Sequence, residues 1–208
     1  RTFSAGGGVT VHVNDAISLD VARSASDADA NLSGDSAGSS SLIDFSNKTA
    51  AVSVNLSGST YGTVATGYVT GSTNGSLTDI EWVKATAHED VIVLSGLTAN
   101  RIDSGSEDDT IYDLTGATED TIIGGDGFDT LKYDIASASQ FNVDLIAGTV
   151  TYNSATDYVA GIERVITGGG ADTLLGNAAA NKFEALSGND IVFGDAGNDS
   201  IYGGADDD

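Results

Sequence analysis

The sequence predicts an all-β fold, a right-handed parallel β-roll or β-helix solenoid. Three observations carry that expectation. Long stretches divide into nines with the pattern G-G-x-G-x-D-x-U-x, where U is large and apolar. Glycine supplies 27 of 208 residues, while Pro, Cys and Met are absent. Acidic residues outnumber basic ones 31 to 8, which leaves a formal net charge of −23.

Residues 1–34 fit no repeat and are expected to form an N-terminal strand, cap or linker. Val9-Thr10-Val11-His12-Val13 alternates like a strand, and residues 20–32 are expected to form a short helix. A first unit, 35–123, opens on the degenerate nonapeptide DSAGSSSLI (35–43), with Ser40 at position six. It continues through ATAHEDVIV (85–93), SGLTANRID (95–103), SGSEDDTIY (104–112) and TGATEDTII (115–123). Leu94 and the pair Asp113-Leu114 interrupt the register as spacers. Sixth positions here are Asp90, Asn100, Asp109 and Asp120.

The second unit, 124–208, opens on GGDGFDTLK (124–132), a full match with Asp129 at position six. From Thr167 the nines run without a gap: TGGGADTLL, GNAAANKFE, ALSGNDIVF, GDAGNDSIY and a truncated GGADDD. Their sixth positions are Asp172, Asn181, Asp190, Asp199 and Asp208, and their eighth are Leu174, Phe183, Val192 and Ile201. Each unit also carries a strand-rich insertion. SVNLSG (53–58) echoes NVDLIAG (142–148), and LTDIEWV (77–83) echoes VAGIERV (159–165).

Several classes of function are excluded by composition. Without Cys there are no disulfides, zinc knuckles or thiolate nucleophiles. With so few basic residues, nucleic-acid binding through a basic patch is not expected, nor is docking on an anionic membrane. No run approaches the roughly 18 apolar residues of a membrane-spanning helix. The N-terminal residues show no apolar signal-peptide core. His88-Glu89 begins an H-E-x-x-H pattern, but Ile92 stands where the second His is needed. A Ser-His-Asp arrangement has no local support in the sequence, so no enzyme activity is expected. Trp82 and Tyr133 are expected to pack the insertions.

The spacing has a geometric consequence. Gly at positions one, two and four permits a tight turn, and x-U-x makes a three-residue strand with only U facing inward. Two nonapeptides then complete one coil of eighteen residues, and coils stack at the strand spacing of about 4.8 Å. Stacking aligns sixth-position carboxylates two blocks apart: Asp90, Asp109 and Asp129; Asn100 and Asp120; Asp172, Asp190 and Asp208; Asn181 and Asp199. Bare carboxylates at that spacing repel by roughly 3.5 kcal/mol per pair at an effective dielectric of 20. A few such pairs rival a domain's whole stability of about 5–15 kcal/mol. Bound cations reverse the sign of that repulsion. Carboxylates and Gly-turn carbonyls together suit Ca²⁺, which takes six to eight oxygens, better than Mg²⁺.

On these motifs, GGDGFDTLK and GDAGNDSIY above all, the chain resembles the RTX (hemolysin-type) calcium-binding nonapeptide repeat proteins, of the kind found in large secreted bacterial surface proteins. The resemblance implies a β-roll filled with several Ca²⁺ ions, secreted unfolded by a type I system and folded by calcium outside the cell. It implies side-chain ligands at Asp90, Asp109, Asp120, Asp129, Asp172, Asp190, Asp199 and Asp208. It implies turn carbonyls around Gly124, Gly125, Gly127, Gly168, Gly170, Gly188, Gly194, Gly197 and Gly203. Asn100 and Asn181 depart from the pattern, so weaker or empty sites are expected there, and Ser40 offers no carboxylate.

The expected function is an extracellular or cell-surface structural protein, such as a surface-layer, adhesin or filament segment. The alternative is the calcium-dependent secretion and folding module of an exoenzyme or toxin whose catalytic domain lies outside this chain. Beyond calcium, the expected partners are neighbouring copies, joined end to end through open strand edges.

Overall fold

A three-residue strand holds little structure by itself and persists only when equivalents stack against both its edges. The computed structural model shows that stacking throughout. It describes residues 10–12, 18–20, 31–33, 42–46, 48–59, 67–70, 73–75, 77–78, 80–114, 118–133, 140–152 and 154–208. Among these residues there are strands and no helix.

In chain order the early strands are β1 (Thr10–His12), β2 (Ser18–Asp20), β3 (Asn31–Ser33), β4 (Leu42–Asp44), β5 (Val52–Asn55), β6 (Gly67–Thr70), β7 (Thr73–Gly75) and β8 (Leu77–Thr78). The middle of the chain forms β9 (Trp82–Lys84), β10 (Val91–Val93), β11 (Arg101–Ser106), β12 (Thr110–Asp113), β13 (Thr121–Asp126), β14 (Thr130–Tyr133), β15 (Phe141–Asp144), β16 (Thr149–Tyr152) and β17 (Ala155–Ala160). The last five are β18 (Arg164–Ile166), β19 (Thr173–Leu175), β20 (Lys182–Glu184), β21 (Ile191–Phe193) and β22 (Ser200–Tyr202).

From β9 to β14 the chain alternates between two long sheets, one strand to each, and it does so again from β18 to β22. One sheet runs β22-β20-β18-β14-β12-β10-β5-β6-β7; the other runs β2-β4-β9-β11-β13-β17-β16-β15-β19-β21. Outside the meanders every pairing in these sheets is parallel. The architecture is a parallel β-roll. Strands β1, β3 and β8 form a small parallel sheet of their own.

The eighth-position residues make the core. Ile92, Ile102, Ile111, Ile122, Leu131, Leu174 and Phe183 are all completely buried between the sheets. Each contributes about 1.5–3 kcal/mol by leaving water. Two eighth positions depart from the inward rule. Val192 is only partly buried and Ile201 is 48% exposed, because β21 and β22 are the outermost strands of their sheets.

Two further expectations are corrected. Leu42 pairs with Trp82 and Ile43 with Val83, so the inward residue of the 35–43 block is Ile43, and its register is shifted by one. Ser40 lies outside the described residues. The helix expected over 20–32 is bounded by strand instead: Asp20 ends β2, paired to β4, and Asn31 begins β3, paired to β1. Residues 21–30 lie outside the described residues.

The echoing insertions are antiparallel meanders, β5-β6-β7 in one sheet and β15-β16-β17 in the other. The second meander is spliced into the roll in reverse. Its last strand β17 pairs with β13, and its first strand β15 pairs with the later β19. An aromatic ladder anchors it: Tyr133 stands 4.8 Å from Phe141, which stacks on Tyr152 at 4.6 Å. Trp82 faces outward beneath the Arg101 guanidinium, 5.1 Å from the ring centroid.

Candidate metal centre

The sixth-position Asp side chains cap the coil before them, whereas Asn100 and Asn181 accept the Ser95 and Asn177 N–H groups of their own turns. Asp109 Oδ1 accepts the Asp90 N–H at 2.7 Å, nineteen residues back. Asp129 Oδ1 accepts the Asp109 N–H at 2.8 Å, and Asp120 Oδ1 accepts the Asn100 N–H at 2.6 Å, both twenty residues back. Past the second meander the step is eighteen. Asp190 Oδ1 accepts from Asp172 at 2.7 Å, Asp199 from Asn181 at 2.9 Å and Asp208 from Asp190 at 3.1 Å. The longer coils contain the spacers Leu94 and Asp113-Leu114; the shorter ones are two nonapeptides each.

Two columns result. One holds Asp90, Asp109, Asp129, Glu163, Asn181 and Asp199; the other holds Asn100, Asp120 and, on the last strand of the second meander, Asp157, and beyond the meander Asp172, Asp190 and Asp208. Val52 and Phe141, which open the two meanders, donate their N–H groups to Asp90 at 2.6 Å and Asp172 at 2.8 Å.

The second oxygen of these carboxylates is the informative atom. Oδ2 of Asp109, Asp129, Asp172 and Asp190 is buried with no hydrogen-bond partner. Ser104 lies beside Asp109, but its hydroxyl donates to the carbonyls of Ile123 and Gly124, at 3.3 and 2.8 Å. Thr167 Oγ1 is buried beside Asp172, where it meets no well-formed hydrogen-bond geometry but still holds the Asp172 pKa down against burial. A buried polar atom left unmade costs about 1–3 kcal/mol, and more when charged. Four such oxygens in ordered columns require a partner.

Glycine shapes the space around them. Gly125 has φ +108°, and a Cβ there would collide with the carbonyl oxygen of Gly105 on the coil before; Gly188, at φ +128°, stands likewise over Gly170. Gly127 stacks on Glu107 and Gly197 on Ala179 in the same way. Gly124, Gly194 and Gly203 lie against Oδ2 of Asp129, Asp199 and Asp208, each the carboxylate of its own turn. Gly168 is buried beside Thr167. Asp199 is half-buried and Asp208 exposed, so the outermost turns are wetter than those within. Asn181 holds the Asn177 N–H through Oδ1 at 2.8 Å and leaves Nδ2 buried without a hydrogen bond.

Electrostatics point the same way. Burial is the largest influence on every one of these acids and raises its pKa. Backbone N–H donors oppose it and neighbouring carboxylates reinforce it. Asp109 and Asp120 are pushed up to about 7, and Asp129, Asp157 and Asp172 to about 6. Asp90, Glu163 and Asp190 are also raised. A hard cation bound here supplies the opposing charge and takes the spare oxygens as ligands. The donor set is entirely oxygen and anionic, which fits calcium. Asp109, Asp129, Asp172 and Asp190, with the Gly-turn carbonyls stacked beside them, are the residues that would hold it.

Three carboxylates also converge inside the roll. Oxygens of Asp113, Asp120 and Asp157 lie within 4.8 Å of one another, all buried. Tyr133 donates its hydroxyl to Asp157 at 2.7 Å, and Asp157 caps the Asp120 N–H at 2.9 Å.

The RTX calcium-binding nonapeptide repeat model matches residues 95–131, 158–192 and 184–208, in four copies. These are RTX calcium-binding repeats. The matched segments contain Asp109, Asp120, Asp129, Asp172, Asp190, Asp199 and Asp208, and leave out Asp90. Comparison of the whole chain with curated proteins gives no match. The RTX columns include two acids beyond the nonapeptides read from the sequence, Asp157 and Glu163, of which Glu163 falls within the matched segment 158–192. Both were marked in the sequence by an acid two residues before an inward apolar residue, Asp157-Tyr158-Val159 without glycines and Glu163-Arg164-Val165 with only Gly161 of the pattern's glycines. At the zinc-like His88-Glu89 pair, His88 Nδ1 faces Glu107 at 3.8 Å on the surface.

Proposed function

We propose that this RTX roll is a calcium-stabilised structural segment of an extracellular or cell-surface protein, without catalytic activity of its own. The observation that carries the calcium dependence is the set of buried, unpartnered Oδ2 atoms at Asp109, Asp129, Asp172 and Asp190. Millimolar calcium outside a cell would fill such sites, and the low calcium inside would leave the columns charged and repelling. The net charge of −23 supports the same division. Strands β21 and β22 expose Ile191, Phe193, Ile201 and Tyr202, a face that a further coil or a neighbouring copy would cover. A structural segment of a layer or filament uses such a face.

Circular dichroism of the full chain tests this reading. EGTA-stripped protein should gain β signal and melt at higher temperature on adding millimolar calcium, with little response to magnesium. Identical spectra and melts in EGTA and calcium would overturn it.

A further inference from the structure

Charge on the roll is sorted by place. The turns that lead into the sheet of β10, β12 and β14 carry exposed acids: Glu89 before β10, Glu107 and Asp108 before β12, and Asp126 before β14. The outward face of that same sheet carries the opposite sign. Lys132 on β14, Arg164 on β18 and Lys182 on β20 alternate with the buried Leu131, Val165 and Phe183 and are partly exposed. From β12 to β22 the only acid on this face is Glu184, whose Oε1 serves both Arg164 at 2.7 Å and Lys182 at 3.0 Å. The strip therefore keeps a positive excess within a chain of net charge −23.

Both rows share one pitch. Strands β10, β12, β14, β18 and β20 are successive in the sheet, so acids and cations alike recur at about 4.8 Å. A second copy lying parallel, displaced by two strands, sets Glu89 against Lys132, Asp108 against Arg164 and Asp126 against Lys182. The same displacement carries Phe128 to the strand of Lys182. Phe128 is 38% exposed on the Asp126 turn and is tied to the row of acids, its N–H donating to Asp108 Oδ1 at 2.9 Å. Beside Lys182 an open groove of about 460 Å³ is lined by Glu184 and by the exposed apolar residues Leu186 and Tyr202. An antiparallel copy would match the charges equally well but would carry Phe128 to Lys132, away from that groove.

We propose that the acidic turns of one copy dock on the cationic outer face of a second, parallel copy, with Phe128 in the groove beside Tyr202. The contact rests on the reading of the roll as a calcium-stabilised structural segment and gives that segment a lateral partner. Acidic turns and cationic face are different surfaces, so each copy can use both, and the contact propagates instead of closing as a dimer. Exposed ion pairs contribute little singly, and the groove adds apolar burial to three of them. Calcium in the turns lowers the net charge that would hold copies apart.

Exchanging one pair of charges is the test. Sedimentation of the full chain in millimolar calcium follows assembly, and circular dichroism of the same samples follows folding. Glu89 stands on a turn whose Asp90 carboxylate is already held by Thr86, so its substitution leaves the calcium turns alone. Glu89→Lys and Lys132→Glu should each fold in calcium yet raise the concentration needed for assembly by about tenfold, because like charges then meet. The double variant carries the exchanged pair on every copy and should assemble as the wild type does. A double variant as impaired as the single ones overturns the contact. A wild type that folds with calcium but stays monomeric at every concentration also overturns it and leaves the calcium reading intact; a wild type whose spectrum ignores calcium overturns that reading instead.

Discussion

The turns at Asp109, Asp129, Asp172 and Asp190 contrast with those at Asp90, Asp120 and Asp157. All seven carboxylates are buried; six sit one residue before a strand, and Asp157 lies within β17. All seven accept a backbone N–H: five from the sixth-position residue of a neighbouring coil, and Asp90 and Asp172 from the meander residues Val52 and Phe141. They part company at Oδ2. At Asp90 that oxygen accepts the Thr86 N–H at 2.7 Å and the Thr86 hydroxyl at 2.9 Å. Asp120 Oδ2 takes the Thr118 hydroxyl at 3.1 Å, and Asp157 Oδ2 takes the Tyr133 hydroxyl at 2.7 Å. The other four lack a short, well-aligned donor at that oxygen, although the hydroxyls of Ser104 and Thr167 lie close enough to Asp109 and Asp172 to ease their charge. A hydroxyl, from a turn threonine or a core tyrosine, thus closes a rung that otherwise waits for a cation. Repeat spacing positions the carboxylate; the residue around it decides whether calcium is needed.

The largest effect expected from this contrast is at Asp190. It lies between Asp172 and Asp208 in its column, bonded to one and donating to the other. Asp190→Ala should leave the Asp172 N–H buried and unmade, costing about 1–3 kcal/mol, and should remove more than one bound calcium. Asp120→Asn, at a closed rung, should leave the calorimetric ion count unchanged. Equal losses of calcium from both variants would erase the distinction between open and closed rungs.

Proton linkage gives the next effect, and its sign is unusual for carboxylates. Folding raises Asp109 to about 7 and Asp129 and Asp172 to about 6, from an unfolded value near 3.9. The folded chain therefore binds more protons between about pH 4 and 7, and calcium-free stability should fall as pH rises through that window. In calcium the carboxylates are held ionised, so the trend should reverse and calcium affinity should weaken as pH drops below about 7. Melting temperatures at pH 5 and pH 8, with EGTA and with calcium, measure this. A calcium-free protein that melts higher at pH 8 than at pH 5 contradicts the burial of these acids.

Most of the roll was legible because a nine-residue period leaves few alternatives. Asp90 to Asp129 and Asp172 to Asp208 fall into columns by spacing alone, and the U residues that face the core, such as Ile111 and Leu174, follow from strand alternation. The splice of the second meander was not legible. Which strands β15 and β17 pair with is decided by packing of Tyr133, Phe141 and Tyr152, residues distant from the repeat grammar. Asp157 was hidden because it enters its column from within a meander strand without a glycine turn, and Glu163 because it carries Glu where the nonapeptides carry Asp and keeps only Gly161 of their glycines. Closed rungs escaped notice because Thr86 and Thr118 occupy turn positions that the pattern assigns to glycine, and their role depends on a hydroxyl direction that spacing does not specify.

A closed rung can be opened deliberately. Thr86 supplies Asp90 with one N–H and one hydroxyl, and glycine is the residue at the same turn position in Gly105 and Gly125, whose rungs are open. Thr86→Gly removes the hydroxyl and keeps the N–H, leaving part of the Asp90 carboxylate buried without its donor. In EGTA the variant should lose about 1–3 kcal/mol relative to wild type. In calcium it should recover that loss and take up one further ion, because the turn now resembles those at Asp109 and Asp129. Denaturant melts in both conditions with a calorimetric ion count decide the matter. Destabilisation that calcium does not repair would mean that Thr86 shapes the turn by packing, and that hydroxyl closure does not explain the difference between the two kinds of rung.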